Sequence, residues 1–221
     1  MIITLIGPDG SGKTSVRQRV ASLLHDRYPD LAVHEYERRF RLLPTIGRLL
    51  GRKPVPVDPK RVVEHKVDHK HPIRSLITVL YYTLEYFAYK IVLSAGLREE
   101  NRTVRLFSRY WHDYYFGFEH TRLPLWLLRV LEWFVPQPDL IIFLDRPAET
   151  IRKDKPELPI AEIRRQQSAI ANSVFAKRPQ FRRVRATGDL QSTAELVFDD
   201  IRACIERNRC EERALAAADQ R

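Results

Sequence analysis

Apolar residues in this chain fall into two kinds of segment. Residues 2–6 (Ile-Ile-Thr-Leu-Ile) and 140–144 (Leu-Ile-Ile-Phe-Leu) are near-continuous apolar runs, the pattern of parallel strands covered on both faces. Shorter strands are predicted at 31–36, 103–107 and 182–186. Between them the spacing turns helical, as at 13–26, where Val16, Val20, Leu23 and Leu24 share one face. Further helices are predicted at 75–97, 123–134, 160–175 and 192–208. Strands alternating with helices predict an α/β fold, a doubly wound five-stranded parallel sheet with helices on both faces.

Two stretches break the pattern. Residues 37–72 are basic, rich in proline and histidine and without periodicity, too long for a plain loop in a compact domain. Residues 146–158 form a second basic segment. The domain expected is therefore 1–208, with 37–72 as an irregular insertion and 209–221 as a fraying tail. Within 37–72, His65, Asp68, His69 and His71 suggest metal ligands, but the surroundings are proline-broken and offer no thiol, so solvated linker is the better reading. Residues 73–95 are the longest apolar stretch, yet Arg74, Glu85 and Lys90 interrupt it too often for an unassisted membrane span. The first strand lacks a basic leader and reads as buried strand, not signal peptide.

Composition narrows the picture. With 221 residues, 44% hydrophobic and 30% charged, the chain can bury a substantial core. A net charge of +10 leaves three usual partner classes: nucleic acid, an anionic membrane surface, or a phosphorylated small molecule. Cys204 and Cys210 lie six apart in a helix and share no face, which points to a reducing, cytoplasmic setting without a disulfide or metal framework.

The decisive motif follows the first strand. Gly7-Pro8-Asp9-Gly10-Ser11-Gly12-Lys13-Thr14 has the spacing G-x-x-x-x-G-K-[ST] of a phosphate loop, between a strand and a helix as the chemistry requires. Gly7, Gly10 and Gly12 let the backbone turn its N–H groups, Ser11's included, onto phosphate oxygens, and the helix adds its positive end. Lys13 is expected to bridge the β- and γ-phosphates of ATP and the Thr14 hydroxyl to ligate Mg²⁺.

With Asp9 inside that loop, the chain resembles the thymidylate kinases, closest to a divergent bacterial branch called thymidylate kinase-like. Ser108-Arg109-Tyr110 stands where that family reads Asp-Arg-Tyr or Asp-Arg-His. Residues 138–145 (Pro-Asp-Leu-Ile-Ile-Phe-Leu-Asp) resemble its Pro-Asp strand, residues 146–158 its lid, and residues 186–189 the loop that packs on adenine, including Gly188. Tyr110-Trp111-His112-Asp113 and the 153–158 segment match the divergent branch. The resemblance implies a P-loop kinase using ATP and Mg²⁺, with Lys13, Asp9, Arg109 and Arg152 catalytic, and Thr14 and Asp145 near the metal. Glu85, Arg109, Tyr110 and Asp113 are then the acceptor residues.

Three departures bear on the acceptor. Ser108 replaces the family's aspartate, for which Asp113 could substitute only if the backbone turns there. Glu85 stands near the position of the thymine-reading arginine. No arginine sits within the loop, so Arg152, Lys153 and Lys155 of the lid must supply that charge. Each residue has a plainer reading too: Arg109 as a surface ion pair, Asp9 as a turn cap in place of a general base, Tyr82, Tyr86 and Tyr89 as core, Asp145 as a strand-ending turn. The expected partner is a small-molecule phosphate acceptor, a nucleoside monophosphate or a hydroxyl-bearing nucleoside or sugar. Arg109 argues for an anionic one, with dTMP a poor one because a Glu85 carboxylate would oppose thymine's O4. Nucleic acid is disfavoured, and a membrane surface or a second copy of the chain stays open. The rival reading is a non-catalytic nucleotide-binding regulator that uses its basic stretch for contact with nucleic acid or membrane.

Overall fold

The computed structural model describes residues 1–40, 42–44, 72–94, 103–117, 123–186 and 189–218, with side chains as far as Cys210 in the last segment. In chain order the elements are β1 (Ile2–Ile6), α1 (Lys13–Arg27), β2 (Ala32–Tyr36), α2 (Pro72–Ser94), β3 (Thr103–Phe107) and α3 (Leu125–Glu132). They continue with β4 (Leu140–Asp145), α4 (Ala148–Asp154), α5 (Ile160–Ala171), β5 (Phe181–Arg185) and α6 (Leu190–Ala218). Short 3₁₀ turns occupy Trp111–Tyr115 and Phe175–Lys177.

All five strands pair in parallel, in the order β2-β3-β1-β4-β5. The N-terminal strand is therefore central, with Ile2 opposite Arg105 on β3 and Ile3 opposite Leu140 on β4. Side chains alternate across a strand, and both resulting faces are apolar here. Ile3, Leu5, Leu106, Ile142 and Leu144 meet α1 and α6 through Val16, Val20, Val197 and Ile201. Ile2 and Phe107 face the other way onto α2 and α3, and Ile6, Ile141 and Phe143 onto α5. Each fully buried side chain of this size contributes about 1.5–3 kcal/mol, which accounts for unbroken apolar strands where one wet face would demand alternation.

Several boundaries differ from expectation. The helix predicted at 160–175 stops at Ala171: Asn172 and Ser173 bond back to Ser168 and Ile170, and local side-chain bonds of this kind compete with helix continuation. The helix predicted at 123–134 starts at Leu125 because Pro124 presets the first turn and its carbonyl accepts from Leu127 and Leu128. The 209–221 tail is helical through Ala218, where fraying from Arg209 was predicted. The 146–158 segment contains a helix of its own, α4, opened by the Pro147 carbonyl and anchored by buried Ala148 and Ile151.

By length and composition alone α2 suffices to cross a membrane. Its Val79, Thr83, Glu85, Tyr86 and Tyr89 face is nevertheless committed to the fold. Most of the 37–72 insertion, including His65, Asp68, His69 and His71, lies outside the described residues, as does Gly188.

Candidate active site

Strands β1 and β3 end side by side, where an open parallel sheet binds ligands. Gly7 leaves β1 with φ 151°, and a Cβ there would come within 2.9 Å of Ser11 Oγ and 3.0 Å of the Leu144 carbonyl. Gly10 has φ 89°, and its Cβ would lie 3.1 Å from both Ile151 Cγ2 and Lys155 Cβ, so the end of α4 stands directly against the loop. Lys13 opens α1 and turns back beneath the loop, its Nζ donating to the Gly7 and Pro8 carbonyls at 2.7 Å each. Ser11 Oγ is buried without a hydrogen-bond partner, and the Thr14 side chain is exposed at the helix start. Glycine backbone, a helix N-terminus, a lysine and an exposed hydroxyl fit a triphosphate with Mg²⁺, Thr14 being the residue placed to hold the metal.

Beside the loop lies a cleft of about 420 Å³ whose walls include Asp9, Arg38, Arg109, Asp113, Tyr114 and Lys155. Arg109 donates to Asp9, and Lys13 stands 3.8 Å from the same carboxylate. Burial alone would raise the Asp9 carboxyl, but Lys13, Arg109 and Lys155 outweigh it and hold it below its ordinary value. Asp9 is thus a weak base tied to two cations, and the general-base role expected of it does not suit it.

The chain does turn after Arg109. Asp113 N–H donates to Tyr110 O, and Gly117 N–H donates to Asp113 O at 2.8 Å, a closure that leaves no room for a side chain at 117. The 3₁₀ turn places Asp113 in the cleft wall with Oδ1 buried and without a hydrogen-bond partner. Burial raises its pKa to about 6, against the pull of Arg109, Lys13 and Arg38.

Other expected site residues are placed differently. Glu85 is fully buried and does not line the cleft; it accepts from Arg39 at 2.5 Å and from Leu42 N–H at 3.1 Å. It holds the segment after β2 in place and cannot meet a base, so the thymine O4 argument falls. Asp145 accepts from Arg183 at 2.6 and 2.9 Å and from Gln167 at 3.1 Å, which commits its carboxylate to β5 and α5 and away from the metal position expected for it. Arg152 donates to the Pro156 and Leu158 carbonyls and closes the turn after α4, while Arg146 reaches the loop at the Gly10 carbonyl, 3.3 Å away. Of the lid charges expected from the sequence, Lys155 lines the cleft and Arg152 does not, while Arg146, which the sequence did not single out, reaches the loop. Tyr110 lines the cleft with its ring, but its hydroxyl is committed to Pro136 O. Of the tyrosine stripe, Tyr89 is core, whereas Tyr82 and Tyr86 reach the cleft. Ser108 is buried and its hydroxyl accepts from Arg17 at 2.6 Å, so the position of the family's aspartate here faces α1.

No protein-family model matches this sequence, and no curated protein gives a significant match. Solved structures do match: thymidylate kinase from Ehrlichia chaffeensis superposes with a TM-score of 0.57 over 91% of this chain and 98% of its own, at 18% sequence identity. The likeness shows the fold, here a five-stranded parallel sheet flanked by helices.

Proposed function

We propose that this protein is an ATP- and Mg²⁺-dependent phosphotransferase of thymidylate-kinase type acting on a small-molecule acceptor. One observation carries the reading: the phosphate loop, with Lys13 beneath it, opens directly beside a cleft that contains Arg109 and Asp113. Phosphoryl transfer needs positioning and electrostatic stabilisation more than covalent help, and a loop adjoining an acceptor-sized cleft provides both. Lys13, Arg109, Arg146 and Lys155 supply the positive charge, and Thr14 is the candidate metal ligand. Ser108 and the lack of arginine in α2 beyond Arg74 disfavour strict dTMP use. The protein is expected to work in the cytoplasm.

Thermal unfolding with and without Mg·ATP tests the nucleotide half of this reading. A ligand at a hundred times its dissociation constant stabilises the folded state by about 2.7 kcal/mol, roughly 5–11 °C for a domain of this size. Lys13→Ala should remove most of that shift. Equal shifts in both proteins would place the nucleotide elsewhere.

A further inference from the structure

The charges around the cleft are arranged in pairs. Arg109 is bonded to Asp9, Arg39 to Glu85 and Lys155 to Glu157, the last at 3.1 Å, while Arg38 faces Asp113. Among the described residues, three of the four cations lining the cleft are thus ion-paired with a carboxylate of the protein, and the fourth, Arg38, stands within electrostatic reach of Asp113. A site for a phosphate dianion needs uncompensated positive charge, because desolvating an anion costs more than a cation already paired can return. Such an acceptor also needs no base, being ionised already at neutral pH. An alcohol needs the reverse: little net field, and a carboxylate oxygen free to take its proton. Asp113 Oδ1 is buried, without a hydrogen-bond partner, and in the same wall as Arg109 and Asp9.

We propose that the phosphoryl acceptor is a neutral alcohol, such as a nucleoside or sugar hydroxyl, and that Asp113 is the catalytic base that receives its proton. This rests on the phosphotransferase reading above. The acceptor oxygen forms a bond to the γ-phosphorus of ATP as the bond from that phosphorus to the β,γ-bridging oxygen breaks. ADP leaves with the electron pair, the hydroxyl proton passes to Asp113 Oδ1, and it is later released to water. The products are a phosphate monoester, ADP and one proton. Asp113 is faced by Lys13 and Asp9 from the loop, Arg38 from the segment after β2, and Tyr86 from α2. Arg109 and Tyr114 face it from its own stretch. Burial has already raised its pKa to about 6, so it is ionised at pH 7 yet more basic than an exposed aspartate.

The test measures ADP formation by the full chain with Mg·ATP and paired acceptors: thymidine against dTMP, adenosine against AMP, glucose against glucose 6-phosphate. At least one alcohol should be phosphorylated faster than its monophosphate. For that alcohol, log kcat/KM should rise with unit slope to a plateau above about pH 6. Asp113→Asn should lower kcat about 10²–10⁴-fold and abolish the acid limb, with its melting temperature checking that it folds. Turnover of monophosphates alone, of no alcohol in the panel, or an Asp113→Asn profile like wild type overturns the proposal. If Mg·ATP still stabilises the protein through Lys13 in those cases, the nucleotide half of the phosphotransferase reading survives; if it does not, both fall.

Discussion

Replacing Glu85 by leucine tests whether this buried carboxylate supports the cleft or lines it. In wild type it is fully buried beneath Arg39, whose side chain is 12% exposed and whose guanidinium also lies 4.9 Å from the Tyr82 ring. Removing one member of a buried ion pair costs about 3–5 kcal/mol, because the partner charge is left uncompensated. Arg39 retains some exposure and can turn toward water, which places the expected loss near the lower end, about 3 kcal/mol. The Leu42 N–H loses its acceptor as well. Melting temperature should therefore fall roughly 6–12 °C. The double variant Glu85→Leu/Arg39→Met should recover most of that loss, since an apolar pair of similar volume avoids the desolvation cost altogether. Urea titration of wild type, both single variants and the double variant gives the coupling energy directly. A Glu85→Leu protein within 1 kcal/mol of wild type, with only the acceptor KM raised, would refute the structural role and return Glu85 to the substrate.

Two further outcomes follow from the geometry. Glu132 accepts from Tyr115 at 2.5 Å and Arg178 at 2.7 Å, with His112 at 3.4 Å; burial opposes its ionisation, but these partners hold its pKa at about 2. A depressed folded pKa gives stability that is present above pH 4.5 and lost as pH falls toward 2, about 2–3 kcal/mol once solvent screening is allowed for. Glu132→Gln should flatten the stability profile across that window, and parallel profiles would contradict the assignment. Gly10→Ala should cost more than Gly12→Ala although both residues have positive φ, each strained by about 1–3 kcal/mol. Only at position 10 does a Cβ meet the end of α4, so amide exchange across 148–154 should quicken in that variant alone. Equal costs and unchanged exchange would mean that α4 does not rest on the loop.

The strands and the phosphate loop were legible in the sequence because each depends on residues adjacent along the chain. Unbroken apolar runs at 2–6 and 140–144 imply two covered faces, and the G-x-x-x-x-G-K-T spacing implies a turn between strand and helix. Site assignments that depend on pairs far apart in sequence were not legible. Glu85 is explained by Arg39, 46 residues away, Ser108 by Arg17, 91 away, and Asp145 by Arg183, 38 away. No local pattern marks such partners, so a carboxylate at a strand end looks catalytic until the residue opposite it is known. Asp113 is the reverse case. Its position one turn beyond Arg109 was visible, but only the closure from Gly117 N–H to Asp113 O shows that it enters the cleft.

The central position of β1 has a consequence for how the chain is made. Its neighbours are residues 103–107 and 140–145, so Ile2 must find Arg105 and Ile3 must find Leu140 across more than a hundred residues. Closing loops of that length costs entropy before any strand pairing returns it, which makes such sheets slow to form. At about 5–20 residues per second of synthesis, the Ile-Ile-Thr-Leu-Ile segment waits roughly 7–30 s for both partners to be made. During that interval this apolar strand is unpaired and open to other chains. Nascent protein should therefore aggregate more readily when synthesis is slowed between residues 6 and 145, and slowing after residue 185, when all five strands exist, should have little effect.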